Sequence, residues 1–166
     1  MNTKTMQICQ TAIMMAAVFV VTRFIQIPIP LGYFNIGNCV ILLFCIMIDS
    51  PYGILGGSIG SALADLTSYP VYTMPTLLIK ALMPIVFYMI VGKQKNKSAY
   101  VLATAVSTLI PLFGYTLTGA VLAGSFSAGL MQFPGLLLEY VANLMIFAVL
   151  YTPVLAISKR FKAMAF

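Results

Sequence analysis

YFNIGNCVILLFCIMIDSPYGILGGSIGSALADLTSYPVYTMPTLLIK, residues 33–80, carries most of the polar chemistry of an otherwise apolar chain. It opens on Tyr33, Phe34, Asn35 and Asn38, runs through an apolar stretch, and turns sharply at Asp49-Ser50-Pro51-Tyr52-Gly53. A glycine- and alanine-rich segment then leads to Asp65, and a Pro/Tyr loop leads to Lys80. Membrane helices carry this many small and polar residues where they pack tightly around something.

The whole chain has 166 residues, 61% of them hydrophobic and 7% charged. Soluble domains are nearer 25% charged, so residues 1–166 read as one membrane-embedded domain. The net charge of +6 comes from bases clustered beside apolar runs, which is the mark of membrane orientation and not of nucleic-acid binding. There is no histidine, which removes His-based acid/base pairs and the usual zinc sites. No phosphate-cradling G-x-x-x-x-G-K-S/T motif is present. Cys9, Cys39 and Cys45 read as small buried hydrophobes.

The expected architecture is all-α and polytopic, with six transmembrane helices. The first runs over 7–27 and is stopped by Pro28 and Pro30. An irregular loop follows over 28–37. Helices two (38–49) and three (52–67) are short, forming either two short spans or one re-entrant hairpin, since a full span needs ~20 residues. Helix four covers 75–92, with Pro75 in its first turn and a kink at Pro84. Helix five covers 99–122, interrupted by Pro111 and Gly114. A Gly/Ser loop (123–133) precedes helix six (134–158). With six alternating helices, Lys4, Lys93, Lys95, Lys97, Lys159, Arg160 and Lys162 fall on one side. The positive-inside rule makes that side, with both termini, cytoplasmic.

Arg23, Asp65, Lys80 and Glu139 then lie one to two turns inside the outer ends of four helices. Isolated charges in hydrocarbon are costly, so such groups pair, face the interior or line a wet cavity. Their common depth points to a polar pocket opening outward; the plainer alternative is a pair of structural ion pairs. Glu139 and Asn143 share a helix face, as do Thr76 and Lys80. Arg23 falls on the stripe of Ala12 and Ala16, and if that stripe meets a partner Arg23 turns away from the pocket. Gly53, Gly57 and Ser61 lead to Asp65, and Gly56, Gly60 and Ala64 form a second small-residue row suited to close helix packing. Tyr33, Phe34, Tyr69 and Tyr72 fall in outer loops, as interfacial anchors or as lids that stack on a planar ligand. Asn35 and Asn38 can both donate and accept there.

FNIGN (34–38), GILGGSIGSALADL (53–66), Tyr69-Pro70, Tyr72 and PTLLIK (75–80), with Ala12-x-x-x-Ala16, resemble the substrate-binding S-components of energy-coupling factor (ECF) transporters. The likeness is nearest to the group handling hydroxymethylpyrimidine, pyridoxine and riboflavin. It implies a multi-pass protein of the bacterial cytoplasmic membrane that is not an enzyme. Such a protein captures a vitamin or precursor near the outer face and holds no cofactor of its own. It also implies docking, through the alanine motif of the first helix, on a transmembrane scaffold subunit with two cytoplasmic ATPases that use the ATP. Among candidates the resemblance favours hydroxymethylpyrimidine or a vitamin B6 form, with riboflavin or another vitamin as the wider range. The substrate-binding set is then Glu139, Lys80, Asn143, Asp65, Thr76, Tyr72, Tyr69, Asn38, Asn35 and Tyr33, and the docking pair is Ala12 and Ala16. Family members commonly carry Gly-Asp where this chain has Gly37-Asn38; an amide there either binds a neutral ligand or caps the second helix. The alternative from another class is a self-contained permease or proton/ion channel using Lys80, Glu139 and Asp65.

Overall fold

Helix α2 (Gly37–Met47) is apolar on nearly every side, and a helix of that kind belongs in the middle of a bundle. The computed structural model, which describes residues 3–48, 50–92 and 96–164, puts it there. Around it pack α1 (Thr3–Phe24), α3 (Tyr52–Ser68), α4 (Thr73–Val91) and α7 (Phe126–Met164). Two further helices, α5 (Lys97–Ser107) and α6 (Leu109–Leu122), make one interrupted arm against α4 and α7. Asp49 of the expected turn and Lys93, Gln94 and Lys95 of the basic turn lie outside the described residues, as does the side chain of Lys162.

Among the described residues, four helical stretches are long and apolar enough to cross a membrane: Lys4–Phe24, Pro70–Val91, Lys97–Leu122 and Phe126–Arg160. Ile13, Met89, Phe113, Val121 and Val149 point outward with more than half their surface exposed, as lipid contact requires. Inside, Met14, Val18, Ile41, Leu42, Met83, Phe87 and Phe147 form a core shared by α1, α2, α4 and α7. The Phe87 and Phe147 rings meet edge-on at 6.4 Å.

Both glycine rows of α3 are buried contacts. A Cβ on Gly60 would stand 2.6 Å from the Met15 carbonyl of α1, and one on Gly56 2.9 Å from Met14 Sδ. On the other row, Gly57 abuts Ile41 of α2. Small residues thus let α1 and α3 touch almost backbone to backbone. The consequence for α1 is a clean division of faces: Met14, Val18 and Thr22 turn inward, while Ala12 and Ala16 are exposed.

Four expectations need correction. The stretch 28–37 is not irregular: β1 (Ile27–Ile29) and β2 (Gly32–Phe34) form an antiparallel hairpin, Pro28 facing Tyr33. Leu31 turns it with φ 60°. The break in the fifth arm falls at Thr108, not at Pro111 or Gly114. Pro111 is the cause, because it has no N–H to give the Ser107 carbonyl four residues back and its ring crowds that carbonyl. Ser107 and Thr108 hydroxyls bond back to Ala103 and Thr104 carbonyls at 2.6 Å. The Gly/Ser loop at 123–133 shrinks to the turn around Gly124, and α7 starts at Phe126 with Pro134 inside it. Gly129, expected in that loop, is a packing residue: a Cβ there would meet the Thr116 carbonyl at 2.7 Å. Finally, Cys39 and Cys45 are buried but Cys9 is exposed.

Candidate functional site

The hairpin, the C-terminal end of α3, a 3-10 turn (Pro70–Tyr72) and the first turns of α4 gather at one end of the bundle around a cavity. Its walls enclose ≈ 440 Å³, open mouth included, of which ≈ 30 Å³ admits the centre of a water molecule. That smaller figure is room for roughly two or three waters. Eight of the ten sequence candidates line it: Tyr33, Asn35, Asp65, Tyr69, Tyr72, Thr76, Lys80 and Glu139. Asn38 and Asn143 do not. Thr22, Tyr115 and Gln132 line it without having been marked by the sequence.

Three ionisable side chains reach it while almost wholly buried: Lys80 at 1% exposure, Asp65 and Glu139 at 3% each. Such burial demands partners, and each has them. Asp65 accepts from the Tyr33 phenol on one oxygen and from the Thr76 hydroxyl on the other. Thr76 in turn meets Tyr115 Oη at 3.0 Å. Burial, together with the Asp65 carboxylate, pushes the Tyr33 phenol above its ordinary range, so it stays protonated as the donor. Lys80 donates to Asn38 Oδ1, and Asn38 Nδ2 donates to Glu139 Oε1 at 2.7 Å. The Lys80 ammonium also sits 5.4 Å from the centre of the Tyr115 ring, a cation–π contact. Arg23 does not join this group; its guanidinium lies over the Phe24 ring, and the shared depth inferred from sequence did not imply a shared cavity.

The amides around the cavity hold the start of α2. Asn35 Oδ1 accepts from Gly37 N at 2.7 Å, and Asn143 Oδ1 accepts from Cys39 N at 2.7 Å. Asn143 Nδ2 donates to the carbonyls of Asn35 and Glu139. The first N–H groups of a helix lack intrahelical partners; here Asn35 and Asn143 cap α2, and Asn38 does not.

Four tyrosines line the cavity. The Tyr33 and Tyr69 rings lie 5.4 Å apart and those of Tyr72 and Tyr115 6.3 Å apart. Tyr72 Oη donates to the Leu31 carbonyl at 2.7 Å. Gln132 Nε2 donates to the Tyr115 carbonyl at 2.8 Å. The Thr22 hydroxyl is buried with no hydrogen-bond partner among the described residues. Gln132 is recoverable from sequence: Gln132, Leu136, Glu139 and Asn143 repeat at four, three and four residues, one helix face. A loop placed at 123–133 hides it. Thr22 likewise continues Met14 and Val18 at four-residue steps.

The helical bundle thus encloses a cavity walled by charged and aromatic side chains. A family model described as "ECF-type riboflavin transporter, S component" matches residues 2–160. This chain belongs to that family, which is one of transporter components and not of enzymes. A solved structure described as the S component of a bacterial ECF transporter superposes with a TM-score of 0.71, covering 91% of this chain and 96% of its own, at 18% identity. At that identity it supports the fold. An uncharacterized protein in gap 3'region from Pyrococcus woesei is 33% identical over 110 residues, 65% of this chain and 74% of that protein.

Proposed function

We propose that the chain captures a single-ring heteroaromatic vitamin or precursor, with hydroxymethylpyrimidine or a vitamin B6 form favoured, and delivers it inward. The observation that carries this is a single cavity lined by Lys80, Glu139 (linked to Lys80 through Asn38), Asp65 and four tyrosine rings. Ring nitrogens, amino groups and hydroxymethyl groups take hydrogen bonds from such donors and acceptors, and the rings supply stacking faces. The orphan Thr22 hydroxyl is a further group for a ligand to satisfy.

A second reading is riboflavin, which the description of the matching family favours. The present free space, room for a few waters, is too small for either ligand, so both readings require lining side chains to move, and a tricyclic flavin requires the larger displacement.

The chain carries no ATP-hydrolysing motif of the P-loop type. Delivery therefore rests on a transmembrane scaffold subunit and two cytoplasmic ATPases, engaged through the exposed Ala12/Ala16 face of α1. An apolar groove between α1 and α3, lined by Ile8, Thr11, Ala12, Met15, Ala16 and Leu55, supports that assignment. The bases at Lys4, Lys97, Lys159 and Arg160 support cytoplasmic termini and a cavity opening outside.

The test is uptake of labelled hydroxymethylpyrimidine, pyridoxine and riboflavin into liposomes holding the chain with or without the ATPase module. Mass spectrometry of ligand co-purifying with the protein accompanies it. Uptake that requires module and ATP supports the proposal; uptake by the chain alone means a self-contained permease and overturns it. A co-purifying flavin selects the second reading.

A further inference from the structure

The link Lys80–Asn38–Glu139 constrains the chemistry at position 38. An ammonium only donates and a carboxylate only accepts. A side chain between them must accept on one side and donate on the other, and an amide does both in a fixed plane. Its orientation follows from its neighbours: oxygen toward Lys80, nitrogen toward Glu139. Aspartate here would still accept from Lys80 but would turn a second acceptor against Glu139.

The backbone is pinned on both sides of this residue. Gly37 N is held by Asn35 and Cys39 N by Asn143, so the Asn38 Cα has little freedom. Asn38 is 2% exposed and does not line the cavity. It faces a narrow cleft behind Glu139, with Thr108, Leu112 and Tyr140.

We propose that Asn38 is the positioning residue of this site. Its amide sets the spacing between Lys80 and Glu139, and so the pattern of donors and acceptors offered to the ligand, without touching the ligand itself. The inference deepens the reading of the cavity as a substrate pocket and rests on it.

A swap tests it. In Asn38→Asp the bridge becomes two facing acceptors. In Asn38→Asp/Glu139→Gln the order is restored: the new carboxylate at position 38 accepts from Lys80, and the new amide at position 139 donates to that carboxylate. Thermal unfolding of the purified protein in detergent, with no ligand added, should fall for Asn38→Asp and recover most of the loss in the double variant. Asn38→Leu should stay low with or without Glu139→Gln. A residue that merely filled space would show no such rescue. Calorimetric titration with hydroxymethylpyrimidine, pyridoxine and riboflavin should show that Asn38→Asp weakens whichever probe the wild type binds by about tenfold or more, the scale of a lost charge-assisted hydrogen bond. Additive losses in the double variant overturn the proposal, as does an Asn38→Asp protein with unchanged unfolding and affinity. If Asn38→Asp yields no folded protein, recovery of folded double variant supports the bridge and its failure overturns it. A wild type that binds none of the probes overturns the pocket reading, and the unfolding comparison still decides the bridge.

Discussion

The Tyr72 hydroxyl donates to the Leu31 carbonyl at 2.7 Å, fastening the 3-10 turn to the tip of the β-hairpin. The two segments are 41 residues apart in sequence, and both the hairpin and the 3-10 turn contribute residues to the cavity lining. One hydrogen bond of this kind stabilises by about 1 kcal/mol. Tyr72→Phe keeps the ring and removes the bond. The expected outcome is ligand release about fivefold faster, measured by chasing labelled ligand with excess unlabelled compound, with little change in unfolding temperature. An unchanged release rate would show that the mouth does not open between these two segments.

Glu139→Gln and Lys80→Met should each weaken ligand binding by more than about tenfold. The two losses differ in kind. A glutamine at position 139 still accepts from Asn38, so the fold keeps its bridge and only the charge is removed. A methionine at position 80 leaves Asn38 Oδ1 buried without its donor, so this variant should also unfold at lower temperature. Titration calorimetry and thermal unfolding on the same preparations separate the effects.

Asn143→Leu should behave in the opposite way. It strips partners from the Cys39 N–H and the Asn35 carbonyl, and each buried group left unpaired costs about 1–3 kcal/mol. The unfolding temperature should drop by several degrees. Affinity measured well below that temperature should stay close to wild type. A selective loss of affinity would instead make Asn143 a ligand contact.

Ala12→Trp and Ala16→Trp place a bulky ring on the exposed face of α1, away from the Met14–Val18–Thr22 stripe that packs inward. Ligand binding should be unaffected, and uptake into liposomes carrying the ATPase module should be abolished. Normal uptake by both variants removes this face as the docking surface.

Much of this architecture is legible in the chain because apolar runs, prolines and small-residue rows act locally. Pro28 ends the region of α1, and Gly56 and Gly60 announce a close helix neighbour. The errors share a cause. Gly, Ser and Ala around 123–130 suggest a loop, whereas in a membrane bundle the same residues permit close packing, as Gly129 does against Thr116. Charges mark Lys80, Asp65 and Glu139 for the site, since a buried charge is conspicuous. Thr22, Tyr115 and Gln132 carry no charge, and only a correct helix phase brings them into view. The capping roles of Asn35 and Asn143 are hidden for a different reason: their partners are backbone groups of α2, and backbone donors leave no mark in the sequence.

The near backbone contact at Gly60 and Met15 has a mechanical consequence. It packs α1 and α3 side by side as one unit. One end of that unit bears Thr22 and Asp65 in the cavity wall, and its flank bears Ala12 and Ala16. Ala12 and Thr22 are ten residues apart, about 15 Å along one helix. Under the docking reading proposed above, the cavity wall and the Ala12/Ala16 flank are therefore joined by one continuous helix with no loop in between.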